Sequence, residues 1–397
     1  MQEEEVDYSN LSTDELLKLE REYKNTYQRY NTLQLAEKIL LNSLYGGMGN
    51  VAFRYFDLSF ATSITVSGKL AIKWIERKLN ELISKKTGIT KDRVVMIDTD
   101  SVVLELKDLV DKICPPNLSR EKKLDFLDEY AEKVLNPYIE HCYTELAEYM
   151  NSYQQKMHMK RENIVSSMIN VAAKSYVMEV YNSEGVQYTL DNPKMKIMGL
   201  TMVKSSTPKV IRGALKKSLP ICLNKTEKDL QNYISEIKKG FKKYSVEEIA
   251  FPRGVNNIST FTRSYWKDKL MSMDRMEQNI AKDKLSDPSE IYVKGTPIHV
   301  KASLIYNHLI EKYGLEKERK KIVDGDKIKF LYLKPNPTHE KCIAFLGDET
   351  LPKEFGLNEY VDYDMMFEKT FLESVKGLAD ALKWNTEKKC TLEDFFV

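Results

Sequence analysis

Apolar residues recur at helical spacing near the start of the chain, at Leu16, Leu19, Tyr23, Tyr27 and Tyr30, among many charges. The pattern predicts a long, exposed amphipathic helix with a thin apolar stripe. Ser12, followed three residues later by Glu15, supplies a capping box at its start. The helix continues from Leu33 to Tyr45, and Gly46, Gly47 and Gly49 are expected to end it. In this second part Leu33, Ile39, Leu40 and Leu44 are expected to face a core. A further helical pattern fills residues 59–84, with Ala61, Ile64, Leu70, Ile72, Ile75, Leu79 and Leu82 on its apolar face. Lys85, Lys86 and Gly88 then mark its end.

Two β-branched runs, from Val94 to Ile97 and from Val102 to Leu104, flank Asp98-Thr99-Asp100-Ser101, which predicts a hairpin with carboxylates at its bend. Pro115-Pro116 breaks the chain, and residues 120–152 read as a helix that kinks or restarts at Pro137. The segment from Ala172 to Tyr181 has the period-2 character of a strand, and residues 188–200 add another. Thr207 followed by Pro208 reads as the N-cap and first position of the next helix. Lysine-rich helix is expected from Arg212 to about residue 243, then a loop at Arg253-Gly254-Val255-Asn256-Asn257 and a short β region over residues 327–333. Helices beside an antiparallel sheet make the fold class α+β.

Composition narrows the class without deciding it. The 397 residues allow two to three domains, and 61 Lys and Arg against 59 Asp and Glu leave a formal net charge of only +2. No polyanionic partner follows from that balance alone. Five cysteines, at positions 114, 142, 222, 342 and 390, show neither a C-x-x-C pair nor zinc spacing, which suits free thiols in a reducing cytosol. The acidic start at Glu3-Glu4-Glu5 is unlike a signal peptide, and no apolar run is long enough for a bilayer. A soluble intracellular protein without a membrane partner is expected.

Candidate chemistry centres on Asp98 and Asp100. Residues two apart on a strand lie on one face, and two adjacent carboxylates repel unless a cation relieves them. Mg2+, which takes oxygen ligands, is the natural occupant. An ordinary polar turn uses the same residue types. Upstream, Lys38, Asn42 and Tyr45 fall at i, i+4 and i+7, so one helix face offers an ammonium, an amide and a ring, a set that suits a nucleotide. A solvated face with a half-buried tyrosine would look alike. Ser205, Ser206 and Lys209 surround the helix start at Thr207, a plausible seat for phosphate as well as a plain cap. The terminal Leu392, Phe395 and Phe396 suit either a peptide anchor for a partner's pocket or docking into the chain's own core.

The pair formed by Lys38-x-x-x-Asn42-Ser43-Leu44-Tyr45-Gly46 and Asp98-Thr99-Asp100-Ser101 resembles the second and third polymerase motifs of the family B DNA polymerases, T-even-type bacteriophage replicative enzymes above all. Phe53-Arg54-Tyr55-Phe56-Asp57, Lys174-Ser175-Tyr176, Lys196-Ile197-Met198-Gly199, Ser205-Ser206-Thr207-Pro208-Lys209 and the terminal peptide follow in the family's order, covering nearly all of the chain from about residue 31. The resemblance implies a helical fingers arm over residues 1–50, an antiparallel palm sheet with packed helices over 51–204, a mainly helical thumb over 205–385, and a clamp-binding tail over 386–397. It implies that Asp100 ligates both of two catalytic Mg2+ ions, with Asp98 in support. Lys38 would hold the triphosphate of the incoming dNTP, and Asn42 and Tyr45 would line the nascent base pair. Lys174, Tyr176, Lys196, Ser205, Ser206 and Lys209 would track primer-template DNA. Leu392, Phe395 and Phe396 would bind the sliding clamp, and the site of action would be the cytoplasm of an infected bacterial host.

Two departures qualify the likeness. The family's first polymerase motif, D-x-x-S-L-Y-P, which carries the other bridging aspartate, has no counterpart here, and neither do the exonuclease motifs. The expectation is therefore one subunit of a split polymerase, its two Mg2+ ions shared with an N-terminal polymerase/exonuclease polypeptide. Where the family has Asp-Arg-Glu in the palm, this chain has Lys160-Arg161-Glu162, which reverses one charge and keeps Glu162. A non-catalytic primer-template and sliding-clamp binding module, or a fragment of an ordinary polymerase, are the competing readings.

Overall fold

The first helix, α1 (Thr13–Met48), starts as its spacing predicts: the Ser12 N–H donates to the Glu15 carboxylate at 2.9 Å while the Ser12 hydroxyl accepts the Glu15 N–H. It runs unbroken for 36 residues. Gly49 is its C-cap, as expected, whereas Gly46 and Gly47 lie inside the helix. Gly47 makes room instead, because a Cβ there would meet the Phe53 ring at 3.3 Å as the chain folds back under the helix end. The expectation that Leu33, Ile39, Leu40 and Leu44 face a core fails as well. No residue of α1 is buried, and these four are 51, 56, 72 and 56% exposed.

The computed structural model describes residues 11–270 and 275–388, side chains at 275–277 excepted. The chain forms two compact units, Met1–Arg161 and Glu162–Val397. In the first, α1 is followed by α2 (Leu58–Thr87), β1 (Val94–Asp98), β2 (Ser101–Leu104), α3 (Lys107–Ile113), α4 (Arg120–Tyr130) and α5 (Asn136–Tyr149). Its core pairs Ala71, Ile75 and Leu79 of α2 with Ile139, Cys142, Tyr143 and Leu146 of α5, and the Trp74 indole donates to the Cys142 carbonyl at 2.9 Å. Ile64 and Leu70, expected on that face, stay 43 and 40% exposed. α2 ends as its sequence indicates, with Lys85 and Lys86 in the last turn and Gly88 in the left-handed conformation. A π-helical turn, Ala131–Leu135, joins α4 to α5 directly before Pro137. Proline has no N–H to donate and its ring crowds the preceding turn. One extra residue in that turn accommodates it without breaking the helix.

The second unit opens with an antiparallel four-stranded sheet of β3 (Asn163–Ala172), β4 (Ser175–Ser183), β5 (Val186–Gln187) and β6 (Lys194–Met198), in which β4 pairs with all three others. The strand expected from Ala172 is two strands, since Ala172 ends β3 and Ala173-Lys174 form the turn. It is also not alternating. Residues 176–182 are all buried, as suits a central strand covered on both faces. Then come α6 (Lys209–Asn224), α7 (Glu227–Phe241), α8 (Val246–Ile249), β7 (Phe251–Gly254), α9 (Arg263–Leu270), α10 (Arg275–Lys284), α11 (Ile298–Lys312), β8 (Lys327–Tyr332), β9 (Cys342–Leu346), α12 (Tyr363–Phe367) and α13 (Glu373–Ala381). Thr207 does not cap α6: its hydroxyl donates to the Thr201 carbonyl at 2.8 Å, and Pro208 occupies the cap position. The helix expected from Arg212 to about residue 243 is two, because Thr226 and Asp229 build a capping box that starts α7. Arg253 and Gly254, read as loop, belong to β7, which pairs with β8 in the sheet β7-β8-β9. Among the described residues, no helix is long and apolar enough to cross a membrane.

Gly199 follows β6 and lies against the turn before β4. At its φ of +66° a Cβ would lie 2.1 Å from the Lys174 carbonyl oxygen and 2.7 Å from the Ser175 hydroxyl. Gly185 has φ +92° and nothing within 4 Å. Gly185→Ala is expected to cost only its backbone strain, ~1–2 kcal/mol, and Gly199→Ala more, ~3 kcal/mol or above, since backbone must also move. Urea unfolding of both variants checks the ordering; equal losses would mean that the Lys174 turn yields.

Candidate active site

β1 and β2 pair in register so that Asp98 faces Ser101, leaving Thr99 and Asp100 as the bend. The Asp100 N–H donates to the Asp98 carbonyl at 2.7 Å, closing a three-residue turn around Thr99 at φ 54°. Left-handed backbone is a genuine outlier for a β-branched residue, with strain of about 1–3 kcal/mol. The bend is tied internally: the Thr99 hydroxyl donates to the Asp98 carboxylate at 3.2 Å, and the Ser101 hydroxyl to the Asp98 carbonyl at 3.2 Å. Asp98 is half-buried and Asp100 exposed.

A two-stranded hairpin is marginal on its own, and of its strand residues only Val94 is buried. Its base is polar and centres on Arg93, which is fully buried. The Arg93 N–H donates to Asn80 Oδ1 of α2 at 2.8 Å, and its carbonyl accepts the Glu105 N–H at 2.8 Å. Its guanidinium donates to Asp108 Oδ2 of α3 at 2.5 Å, to Thr87 Oγ1 at 3.4 Å and to the Ile89 carbonyl at 3.5 Å. Lys91 and Glu105 close the rim at 2.6 Å. Neither Arg93 nor Asp108 was singled out from the sequence. Their only trace there is a charged residue opening an apolar run.

Oxygen donors at a bend fit a hard divalent cation. They fit as part of a coordination sphere: among the described residues, no group of three or more His, Cys, Asp and Glu could hold a metal ion. Lys38, Asn42 and Tyr45 lie on α1 in the same unit, all exposed, with Tyr45 at 42%. Their shared helix face is as the spacing predicts.

The remaining predicted residues lie in the second unit. Lys174 is the exposed turn residue between β3 and β4, at φ 59°. Tyr176, two residues on, is buried and sits opposite Met198. Lys196 lies across β4 from this turn and is already engaged: its ammonium donates to Glu162 Oε1 at 2.6 Å, which holds that carboxyl below its ordinary value. Glu162 therefore serves Lys196. Ser205 and Lys209 are exposed, and the Ser206 carbonyl accepts from Arg253 at 2.8 Å. Leu392, Phe395 and Phe396 lie outside the described residues.

The hydrogen bond from Arg93, aided by its charge, lowers the Asp108 carboxyl from its ordinary 3.8. A lowered folded-state value means stability that is present above 3.8 and lost as pH falls through the lower value. Asp108→Asn is thus expected to be less stable than the parent at neutral pH, with the gap narrowing below about pH 4. Thermal melts of both proteins from pH 7 to 3 test this, and a gap that does not change with pH would contradict it.

Residues 13–112 match the sequence model of DNA polymerase family B, a span that includes Lys38, Asn42, Tyr45, Asp98 and Asp100. The chain is 30% identical over 401 aligned positions, 98% of its length, to the DNA-directed DNA polymerase of Enterobacteria phage T4, of which it covers 41%. It is 34% identical over 92% of its length to the DNA-directed DNA polymerase of Escherichia phage RB69, covering 38% of that protein. A 23% identity over 74% of the chain relates it to DNA polymerase 1 of Aeropyrum pernix. The chain thus spans about two fifths of the length of its phage relatives. With the motif residues inside the matched segment and the phage likeness running almost end to end, the chain is similar to DNA polymerases of family B over nearly its whole length.

Proposed function

We propose that this chain is the C-terminal part of a replicative, DNA-directed DNA polymerase, active when a separate N-terminal polypeptide supplies the first-motif aspartate and the exonuclease. The observation that carries the reading is the Asp98-Thr99-Asp100 bend, kept at the tip of a strained hairpin inside the segment that matches the family. In this reading Asp100 and Asp98 hold Mg2+ together with the partner's carboxylate. When bound, two Mg2+ ions supply activation of the primer hydroxyl and neutralisation of the leaving pyrophosphate. Lys38 binds the triphosphate of the dNTP as a point charge, while Asn42 and Tyr45 pack against the new base pair and test its shape. Lys174, Lys196, Ser205, Ser206 and Lys209 make sequence-independent contacts to primer-template DNA, and Tyr176 fixes the strand beneath them from its buried position.

Residues 1–50, 51–204 and 205–385 act as fingers, palm and thumb. The exposed apolar stripe of α1 supports a further polypeptide packing on the fingers. The tail carrying Leu392, Phe395 and Phe396 binds the sliding clamp. The chain just ahead of it is held by Gln231, which donates to the Asn385 and Glu387 carbonyls at 2.9 and 3.2 Å. The site of action is the cytoplasm of the infected bacterium, in keeping with phage relatives.

The test is primer extension. The chain alone is expected to extend nothing, the chain with its partner to extend, and Asp100→Ala in the pair to abolish extension. Primer-template binding by the pair without extension under any divalent metal would make the chain a non-catalytic binding module instead. Glu162→Gln releases Lys196 from its ion pair. It is expected to tighten primer-template binding ~2–5-fold at low salt and to steepen the salt dependence by about one charge; fluorescence anisotropy across a salt series would reveal an unchanged affinity if Lys196 does not reach DNA.

A further inference from the structure

We infer that the Arg93–Asp108 ion pair is a positioning device for the carboxylate bend, beyond its part in folding. The inference rests on the polymerase reading only for its kinetic consequence. Three observations carry it. First, the strands of the hairpin bury only Val94; Val102 and Leu104 of β2 lean half-buried on the apolar clusters beside α2, while β1 beyond Val94 adds no residue to them, so apolar packing holds one leg of the hairpin and leaves the other to its base. Second, Arg93 is the residue immediately before β1, and its main chain is bonded on both sides: to Asn80 of α2 through the N–H and to Glu105, just after β2, through the carbonyl. One residue therefore clamps both legs of the hairpin. Third, the guanidinium is fully buried, its Nε has no hydrogen-bond partner, and Asp108 is the carboxylate it bonds.

A buried guanidinium must stay near its counter-charge. Moving Asp108 therefore drags Arg93, and Arg93 drags the first residue of β1. Asp98 lies five residues along a strand from that anchor, so a small tilt at the base is amplified at the carboxylates. Metal-binding geometry tolerates little such drift, because Mg2+ demands near-octahedral oxygen placement. Asp108 does not reach the bend itself; it acts through Arg93.

The experiment compares the full chain with Asp108→Asn, which strands the buried charge, and with Arg93→Met/Asp108→Leu, which removes charge and counter-charge together. Replacing a buried pair by apolar residues commonly restores stability. The double variant is therefore expected to melt like the parent while the amides of Met96, Ile97 and Val103 exchange at least ~10-fold faster, with the α2 core amides of Ile75 and Leu79 unchanged. Parental exchange in the hairpin of a stably folded double variant would overturn the inference. If the double variant does not fold, Arg93→Lys takes its place. It keeps the charge but not the planar fork, and the same two sets of amides decide. With the partner present, the half-saturating Mg2+ concentration for primer extension is expected to rise several-fold at unchanged primer-template affinity; an unaltered Mg2+ response would overturn the kinetic part. The exchange measurement uses the chain alone, so it stands or falls separately from any demonstration of polymerase activity.

Discussion

A positive charge sealed from water governs the first unit. Arg93 is fully buried, and a guanidinium in that setting is tolerable only while Asp108, Thr87 and the Ile89 carbonyl stay around it. The requirement draws the end of α2, the start of β1 and the first turn of α3 to one point. Since β1 beyond Val94 is half-buried at most and adds nothing to the apolar clusters, that point sets the course of this leg of the hairpin. Asp98 and Asp100 stand at the end of a short lever whose β1 leg pivots on an ion pair, while Val102 and Leu104 rest the β2 leg on apolar clusters. Such a fulcrum is directional, whereas apolar packing is not. Under the polymerase proposal these carboxylates meet a cation at defined distances and gain from the difference.

Elements with one dominant local cause were legible in the sequence. The Ser12 capping box, the Asp98–Ser101 bend and the glycine stop of α2 each depend on a few adjacent residues, and each was found where read. What depended on the surroundings of a face was not. Residues 176–182 look like an alternating strand but are all buried, because β4 is central in its sheet, between β3 and β6, and neither of its faces is left to water. β9 (Cys342–Leu346) was missed for the same reason: five consecutive buried residues carry no period. Thr207 has the right type and place for a cap. Its hydroxyl is engaged by the Thr201 carbonyl six residues back, an alternative that capping statistics do not see.

The site divides in the same way. Spacing alone put Asp98 and Asp100 at a bend, and Lys38, Asn42 and Tyr45 on one face of α1. The residues that hold the bend were invisible. Arg93 and Asp108 are fifteen positions apart and meet only because a hairpin returns the chain to its base. Lys196 and Glu162 are thirty-four apart and meet across a sheet, so a lysine read as a DNA contact proves to be held by a carboxylate beforehand. Local motifs report which groups are present; the register of the fold decides which are already engaged.

α1 poses the reverse of the Arg93 problem. Isolated helices draw little from propensity, and most helical stability comes from packing an apolar face. Yet this helix packs none of its residues out of water, and Leu40, Tyr27 and Tyr30 are 72, 71 and 66% exposed. Its capping box and the Lys24–Glu20 pair at 2.5 Å support it locally, at a few tenths of a kcal/mol for such a pair. An apolar stripe of this length is a demand for cover, and under the polymerase proposal the bend makes a demand of its own, for a cation and for further ligands around it. The two demands are chemically unrelated, one for apolar area and one for charge. Under the polymerase proposal a single further polypeptide meets both, bringing a helix to α1 and an aspartate to the bend. A binding module would need the first and have no use for the second, which is why the chemistry of the Asp98-Thr99-Asp100 bend, rather than the size of the exposed stripe, favours catalysis.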